Sequence, residues 1–111
     1  MRVEIAAAAS VLPEEVVTSE DVEARIRAQS PSLTVIPGSV RHVTGIETRR
    51  RACESINASD LAAEACRKVL EQAALESTAI DLLIYASASQ DLVEPATAHI
   101  VQHKLGTRAA A

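Results

Sequence analysis

The chain has 111 residues and a net charge of −4 at pH 7, and its apolar side chains are mostly small and aliphatic, with one Tyr and no Phe or Trp. The acidic balance argues against a nucleic-acid partner, and the N-terminus lacks the basic region and apolar run of a signal peptide. No stretch approaches the roughly 18 apolar residues that a membrane span needs, so we expect a cytoplasmic chain without a membrane segment.

The first forty residues predict a strand, a helix and a loop. Residues 3–12 are apolar and stop at a proline, which favours a strand. Thr18 or Ser19 is expected to cap a helix that runs to about residue 29 and carries acid-first charged pairs at i,i+4 spacing. Residues 30–38 contain two prolines and a glycine and predict a surface loop.

The middle of the chain predicts an irregular turn, an extended piece and the strongest helix. Gly45 interrupts a poorly alternating segment, so a turn followed by a short extended piece is expected over residues 46–51. Ser59 is then predicted to cap a helix over residues 60–74. Small apolar residues follow one face of that helix and charged residues follow the other, which indicates a helix packed on a sheet.

The stretch from residue 80 to residue 106 predicts a strand, a loop and a helix in immediate succession. Residues 80–86 contain four consecutive apolar side chains, a pattern typical of a strand that is covered on both faces. Pro95 suits the first position of a helix, and Gly106 suits the left-handed residue that ends one. With an incipient strand after residue 107, these elements predict a right-handed crossover unit of an α/β sheet.

Glu94 is the one candidate for a catalytic residue, since it ends the loop between the predicted strand and the next helix, although its position alone favours a plain acidic residue. Open α/β sheets place their chemistry in such loops. The alternative is a plain acidic residue near a helix start, where the helix dipole favours it by about 0.3–1 kcal/mol.

The chain is expected to be a piece of something longer, since its small side chains bury little area at roughly 25 cal/mol per Å². It ends on an apolar start of another strand, Gly-Thr-Arg-Ala-Ala-Ala. Two cysteines without a CxxC spacing, Cys53 and Cys66, predict neither a disulfide framework nor a zinc site and fit a reducing compartment.

Four segments together resemble the N-terminal part of β-ketoacyl-ACP synthase III, of the thiolase superfamily. They are LPEEVVTSED, VTGIETRRRA, ASDLAAEACRKVLEQAAL and IDLLIYASASQDLVEPATAHIVQHKLG. The resemblance covers essentially all 111 residues and implies an α/β fold: the N-terminal portion of a thiolase-like layered α-β-α architecture, incomplete in this chain. Residues 1–111 are then the first part of one domain, completed by downstream sequence or by a second polypeptide.

Within the family, the segment around Glu94 most resembles the branch that joins two fatty acyl-CoA chains without decarboxylation, as in olefin and β-lactone biosynthesis. The resemblance implies that Glu94 crosses a dimer interface and acts as general base on the second acyl chain in the partner's active site. A base is needed there because the α-carbon of an acyl thioester must lose a proton, whereas decarboxylation supplies the carbanion in ordinary synthases.

Two departures from the family pattern are evident. The nucleophilic Cys, with its His and Asn partners, is expected downstream of residue 111, and neither Cys53 nor Cys66 lies in the strand-to-helix turn that the nucleophile occupies. The Trp and Arg that hold the adenine of CoA in many members are replaced here by Ser39 and Val43.

Basic and histidine residues have weaker functional interpretations. Arg49 and Arg50 could bind the phosphates of CoA or an acidic carrier protein, although neighbouring residues of an extended piece point opposite ways, and plain surface charge is the alternative. His99 and His103 have the i,i+4 spacing of zinc ligands, but a third ligand is missing and a polar stripe is favoured. We therefore predict no metal and no cofactor beyond the acyl-CoA or acyl-ACP substrate.

The predicted function of the whole protein is a non-decarboxylative Claisen condensation of two acyl-CoAs by a homodimer, or by a heterodimer with a related synthase. A decarboxylating synthase III or an ester-forming relative is the alternative within enzymes. From another class, the chain could be a non-catalytic structural or interface fragment of a split synthase.

Overall fold

The computed structural model describes residues 1–107 and 110, which form two compact units. One, the ribbon unit, is Pro13–Cys53, and the other, the helix-pair unit, combines Met1–Leu12 with Glu54–Ala111. The ribbon unit contains β1 (Glu15–Thr18), α1 (Ser19–Gln29), α2 (Ser39–Thr44) and β2 (Thr48–Arg51). The helix-pair unit contains α3 (Ala58–Ala73), a 3-10 turn (Ser77–Ala79) and α4 (Thr97–Leu105).

The ribbon unit is organised by the antiparallel pairing of β1 with β2, in which Val17 lies opposite Arg49 and Thr18 lies opposite Thr48. Val17 is 7% exposed and supplies the buried apolar side chain of the ribbon. Thr18 caps α1: its hydroxyl accepts the Asp21 N–H at 3.0 Å, and the Asp21 carboxylate accepts the Thr18 N–H at 2.9 Å. The Thr18 N–H, and then the Thr18 hydroxyl, which donates to Asp21 Oδ2 at 2.7 Å, lower the pKa of Asp21 below its usual value.

The short helix α2 is held by a buried carboxylate of α1. Glu23 is 2% exposed and accepts the backbone N–H groups of Gly38 and Val40, each at 3.0 Å, while Arg27 donates to it at 3.2 Å. Those two backbone hydrogen bonds are the main reason why the pKa of Glu23 lies below its usual value. Glu23 thus provides the acceptor for donors that the first turn of a helix leaves unpaired.

The helix-pair unit is built on the packing of α3 against α4. Ala63 of α3 and Val101 of α4 are each 1% exposed and form its buried apolar contact points. The small side chain of Ala63 allows close approach, which suits a core without aromatic residues. Gly106 adopts a left-handed conformation (φ 73°) and ends α4, with its N–H donating to Gln102.

Several predicted elements are confirmed by the structure. The first helix begins at Thr18 as a cap, the loop before Gly38 is present, and the extended piece over 46–51 corresponds to β2. Gly106 is also confirmed as the left-handed residue that ends α4. The helix cap, the loop and the helix end are formed by residues close together in the sequence, and β2 needs only one partner strand, β1.

The prediction of strands over two apolar segments is wrong, because neither segment forms a strand in the structure. Residues 3–12 and 80–86 have no regular secondary structure, and their apolar side chains are exposed: Ile5 at 91% and Ile84 at 79%. A strand needs the backbone of a neighbour, and β1 and β2 are the only strands in the described part of the chain. The crossover unit is accordingly absent too, and its incipient last strand falls largely on residues 108, 109 and 111, outside the described residues.

Helix boundaries also differ from the prediction. Asn57, not Ser59, precedes the first residue of α3, with its N–H donating to the Asp60 carboxylate at 2.9 Å, and Ser59 lies inside the first turn. Helix α4 begins at Thr97, two residues after Pro95. The six-residue α2 was not predicted, because β-branched residues and the flanking glycines mask so short a helix.

Neither a membrane span nor a metal cluster is visible in the described residues. None of the helices there combines the length and hydropathy that crossing a bilayer requires. No three His, Cys, Asp or Glu side chains in this part of the chain come together as a metal site.

Candidate active-site loop

Glu94 lies in the loop of residues 91–96, immediately before α4. Its side chain is exposed, and in the described part of the chain it makes no hydrogen bond or ion pair. The neighbouring Leu92 and Val93 are 54% and 82% exposed, and the peptide bond between Glu94 and Pro95 is cis. The structure therefore places the predicted base at the exposed tip of a loop, while its role as a base stays a prediction.

The two ends of this loop are fixed by Asp91 and Thr97. The Asp91 carboxylate accepts the backbone N–H of Ser59 at 3.0 Å, and the Asp91 N–H donates to the Thr97 hydroxyl at 3.2 Å. Thr97 is 4% exposed and Ser59 is fully buried. The loop thus begins at a half-buried carboxylate that is bound to the buried Ser59 and ends at the buried Thr97, although its middle is open to solvent.

Lys104, in the last turn of α4, connects the loop anchor to the start of α3. Its Nζ donates to the Ser59 hydroxyl and to Asp60 Oδ1, both at 2.6 Å. We call Ser59, Asp60, Asp91 and Lys104 the anchor cluster. Hydrogen bonding by the Ser59 hydroxyl, then by its backbone N–H, lowers the pKa of Asp91, and Lys104 lowers that of Asp60. Both carboxylates are therefore ionised at neutral pH.

The anchor cluster was missed in the sequence because its members are far apart along the chain. Ser59 and Asp91 are separated by 32 residues, and Ser59 and Lys104 by 45. Taken alone, Ser59 indicates a helix cap and Asp91 falls in the predicted loop. No periodicity or local motif connects them, so only the packing of α3 on α4 reveals the contacts.

Short-range hydrogen bonds fold the segment immediately before the loop. The Tyr85 hydroxyl donates to the Ser89 carbonyl at 2.8 Å, and the Ser89 N–H donates to the Ser87 hydroxyl at 3.0 Å. These contacts are short in sequence and stabilise a turn. Neither contact brings a Ser hydroxyl to a base that would activate it as a nucleophile.

Cys66 lines an apolar cavity of about 280 Å³ between α3, α4 and the segment of residues 80–84. Its walls include Val69, Leu70, Ile84 and Leu105. Burial raises the pKa of the Cys66 thiol above its usual value. Because the thiolate is the reactive form, this environment disfavours Cys66 as the acylated nucleophile.

The arginines of β2 are separated by the alternation of the strand. Arg50 donates to the carbonyls of Pro13 and Glu14 at 3.3 and 2.9 Å, whereas Arg49 donates to the Ser19 hydroxyl at 3.4 Å. One guanidinium nitrogen of Arg49, Nη1, is buried without a hydrogen-bond partner among the described residues. Arg49 and Arg50 thus lie on opposite faces of the ribbon and do not converge on one phosphate site.

The remaining candidates lie on α4 and α2. His99 and His103 are exposed on α4 and belong to no group of metal-binding side chains in the described residues. Ser39 and Val43, the departures noted above, lie on α2, where Val43 is 81% exposed.

The chain is similar in sequence to curated synthases, although it matches no protein-family model. It is 40% identical over 102 residues to the β-ketoacyl-[acyl-carrier-protein] synthase III of Neisseria meningitidis serogroup C, covering 92% of this chain and 30% of that protein. With the protein of the same name from Alkalilimnicola ehrlichii it is 38% identical over 99 residues. The chain spans about 30% of the length of the curated relatives it matches.

Solved structures show the same relationship. The chain superimposes on a variant of Xanthomonas campestris OleA with a TM-score of 0.81 and 33% identity, covering 96% of this chain and 32% of that one. For the 3-oxoacyl-(acyl carrier protein) synthase III, FabH, of Xanthomonas oryzae, the TM-score is 0.77, with 35% identity, 92% coverage of this chain and 30% of that one. These matches confirm the resemblance and the fold class, an incomplete portion of a thiolase-like α/β fold.

Proposed function

We propose that this chain, a homologue of β-ketoacyl-[acyl-carrier-protein] synthase III over about 30% of that protein's length, is part of an acyltransferase that joins two acyl thioesters. The observation that carries the proposal is the combined match in sequence to synthases III and in structure to FabH and OleA. Thiolase-type acyl condensation is the reaction class that we assign to the complete protein.

We further propose that the condensation is non-decarboxylative and that Glu94 is its general base. An exposed carboxylate without an intramolecular partner is free to reach a substrate, and a loop before a helix is a suitable place from which to do so. In water such a carboxylate is a weak base, so a covering surface must desolvate it. A partner subunit whose active site receives Glu94 would meet that requirement.

In the proposed reaction a Cys of the complete protein carries the first acyl group as a thioester. Glu94 removes a proton from the α-carbon of a second acyl-CoA, and the carbanion attacks the thioester carbonyl. A carbon–carbon bond forms while the carbon–sulfur bond to the Cys breaks, and the thiolate leaves. The proton that Glu94 removed then passes to the Cys thiolate, which restores both groups. The step involves no net oxidation or reduction, so it needs no oxidant.

The decisive variant is Glu94→Gln in the full-length protein, which keeps the shape of the side chain and removes its basicity. Loss of a general base lowers a rate by about 10²–10⁴-fold. Mass spectrometry of the intact protein after incubation with acyl-CoA should show unchanged acylation of the thiol. Formation of the condensed product, measured by chromatography, should fall by the factor above.

The matched control is Glu71→Gln, which removes one exposed carboxylate from α3 of the same unit. We expect it to acylate and condense like the unmodified protein. Condensation by Glu94→Gln at nearly the unmodified rate would show that Glu94 is not the base.

A decarboxylating condensation is the second candidate, favoured by the names of the relatives, which are synthases acting with an acyl carrier protein. In that case malonyl thioester would be required and would release CO₂, and Glu94→Gln would have little effect. Supplying acyl-CoA alone, and then with malonyl-ACP, distinguishes the two reactions.

The partners included in the proposal are a second subunit, identical or related, and an acyl group carried on CoA or on a carrier protein. We place the protein in the cytoplasm. Either Arg49 or Arg50 would meet a phosphate of the carrier, since the two guanidinium groups lie on opposite faces.

A further inference from the structure

The loop that carries Glu94 is attached to α3 through one side chain. Asp91, three residues before Glu94, accepts the N–H of the buried Ser59, and its own N–H donates to the buried Thr97. Five residues therefore span the distance between two fixed points. A short loop with fixed ends has few conformations, so these ends determine where the exposed tip lies.

Lys104 supports the same point from the other helix. Its ammonium contacts the Ser59 hydroxyl and the Asp60 carboxylate at 2.6 Å each. It also offsets the negative charge that Asp60 and Asp91 bring together at the start of α3. Without this cation, two carboxylates near one another would repel, and the attachment of Asp91 to Ser59 would weaken.

We infer that Asp91 and Lys104 are positioning residues for Glu94. By holding the loop of residues 91–96 against α3, they place the Glu94 carboxylate where it can reach the α-carbon of the second acyl chain. This inference rests on the proposed role of Glu94 as general base. Neither positioning residue needs to touch the substrate.

A purely structural role is the competing explanation, and the structure favours positioning over it. The anchor cluster joins α3 and α4, which also pack against each other and bury Ala63 and Val101. The loop tip has no comparable support, because Leu92, Val93 and Glu94 are all exposed. Loss of the anchor should therefore affect the loop more than it affects the helix pair.

The first test is independent of catalysis and uses amide hydrogen exchange in the full-length protein. In Asp91→Ala, the N–H of residue 91, which donates to the Thr97 hydroxyl, and the Ser59 N–H, which loses its acceptor, should exchange at least tenfold faster, while amides in the centre of α3 keep their rates. Asp81→Ala, which removes an exposed aspartate of the same unit, is the matched control and should leave the loop unchanged. If the N–H of residue 91 in Asp91→Ala exchanges at the unmodified rate, the anchoring is wrong whatever Glu94 does.

The second test is a double-mutant cycle on the condensation rate. Asp91→Ala should reduce condensation by about 10-fold to 100-fold in the unmodified protein, since small misplacements of a reacting group have effects of that size. In the Glu94→Gln background the same substitution should reduce it less than twofold, because the group being positioned is already inactive. Acylation of the thiol should be unchanged in all four proteins.

Equal reductions in both backgrounds, or a loss of acylation, would assign Asp91 a general structural role and overturn the inference. If Glu94→Gln itself leaves condensation intact, the proposed function fails, while the exchange experiment still decides the anchoring. Lys104→Met provides a second variant should Asp91→Ala not fold: it should show the same non-additivity with a smaller effect. Asp91→Asn, which keeps an oxygen acceptor for the Ser59 N–H, should restore most of the condensation rate.

Discussion

Two adjacent valines of β1 offer a direct test of what holds the ribbon unit together. Val17 is 7% exposed and Val16 is 51% exposed, so the same Val→Ala substitution removes two carbons from very different surroundings. At ~0.8 kcal/mol per buried carbon, the loss is about 1.5 kcal/mol at Val17 and about 0.8 kcal/mol at Val16. The lower strand propensity of Ala is common to both variants and cancels in their comparison. With a small cavity term added, Val17→Ala should destabilise the ribbon by about 1 kcal/mol more than Val16→Ala.

The assay is amide hydrogen exchange of β1 and β2 in the full-length protein, since exchange reports the local free energy of opening. A difference of about 1 kcal/mol corresponds to about fivefold faster exchange in Val17→Ala than in Val16→Ala. The helix-pair unit serves as an internal reference, and its amides should be unaffected. Equal exchange in the two variants, or faster exchange in Val16→Ala, would refute the view that burial on the Val17 face stabilises the ribbon.

Two further predictions concern the ribbon unit. Thr18→Ala removes the cap of α1, which should destabilise that helix by about 1 kcal/mol and lower its content in circular dichroism, whereas Thr18→Ser should restore it. The pKa of Glu23 is lowered in the folded chain, so its contribution to stability is fully present above its unfolded value and disappears as pH falls through the folded value. The amides of Gly38 and Val40 should therefore stay protected from neutral pH down to about pH 5 and lose protection only in stronger acid. Protection lost already between pH 7 and pH 6 would contradict this assignment.

Local features of the fold were predictable from sequence because their causes are local. Thr18 followed three residues later by Asp21 is a capping pattern, and the structure contains both of its hydrogen bonds. Gly106 after the last apolar residue of α4 indicates the left-handed end of a helix, which is what the structure shows. In each case the residues that form the contact lie within five positions of each other.

The segment of residues 80–86 shows why the rest could not be predicted. Its consecutive apolar side chains are typical of a central strand, but a strand forms only when neighbouring backbones pair with it. The matches to FabH and OleA confirm the fold class that this pattern indicated, although no described neighbour makes it a strand here. The apolar pattern therefore indicated the correct fold class, although the segment itself does not form a strand in this structure.

The candidate site also has one part that the sequence predicted and one part that it did not. Glu94 was predicted from its place before a helix and from the family resemblance, and it lies on that loop. The anchor cluster around Asp91 and Lys104 forms only when α3 packs against α4. It therefore could not be predicted from residue spacing in the sequence. The catalytic role of Glu94 stays a prediction until condensation is measured.

The bare apolar segments near the N-terminus and before the loop have a practical consequence for anyone preparing these 111 residues. Ile5 and Ile84 are 91% and 79% exposed, and the segments that carry them pair with no strand in the described part of the chain. Such segments attract one another between molecules and template aggregates. Since hydrophobic attraction weakens on cooling, the fragment should remain dispersed longest in the cold and precipitate as the solution is warmed.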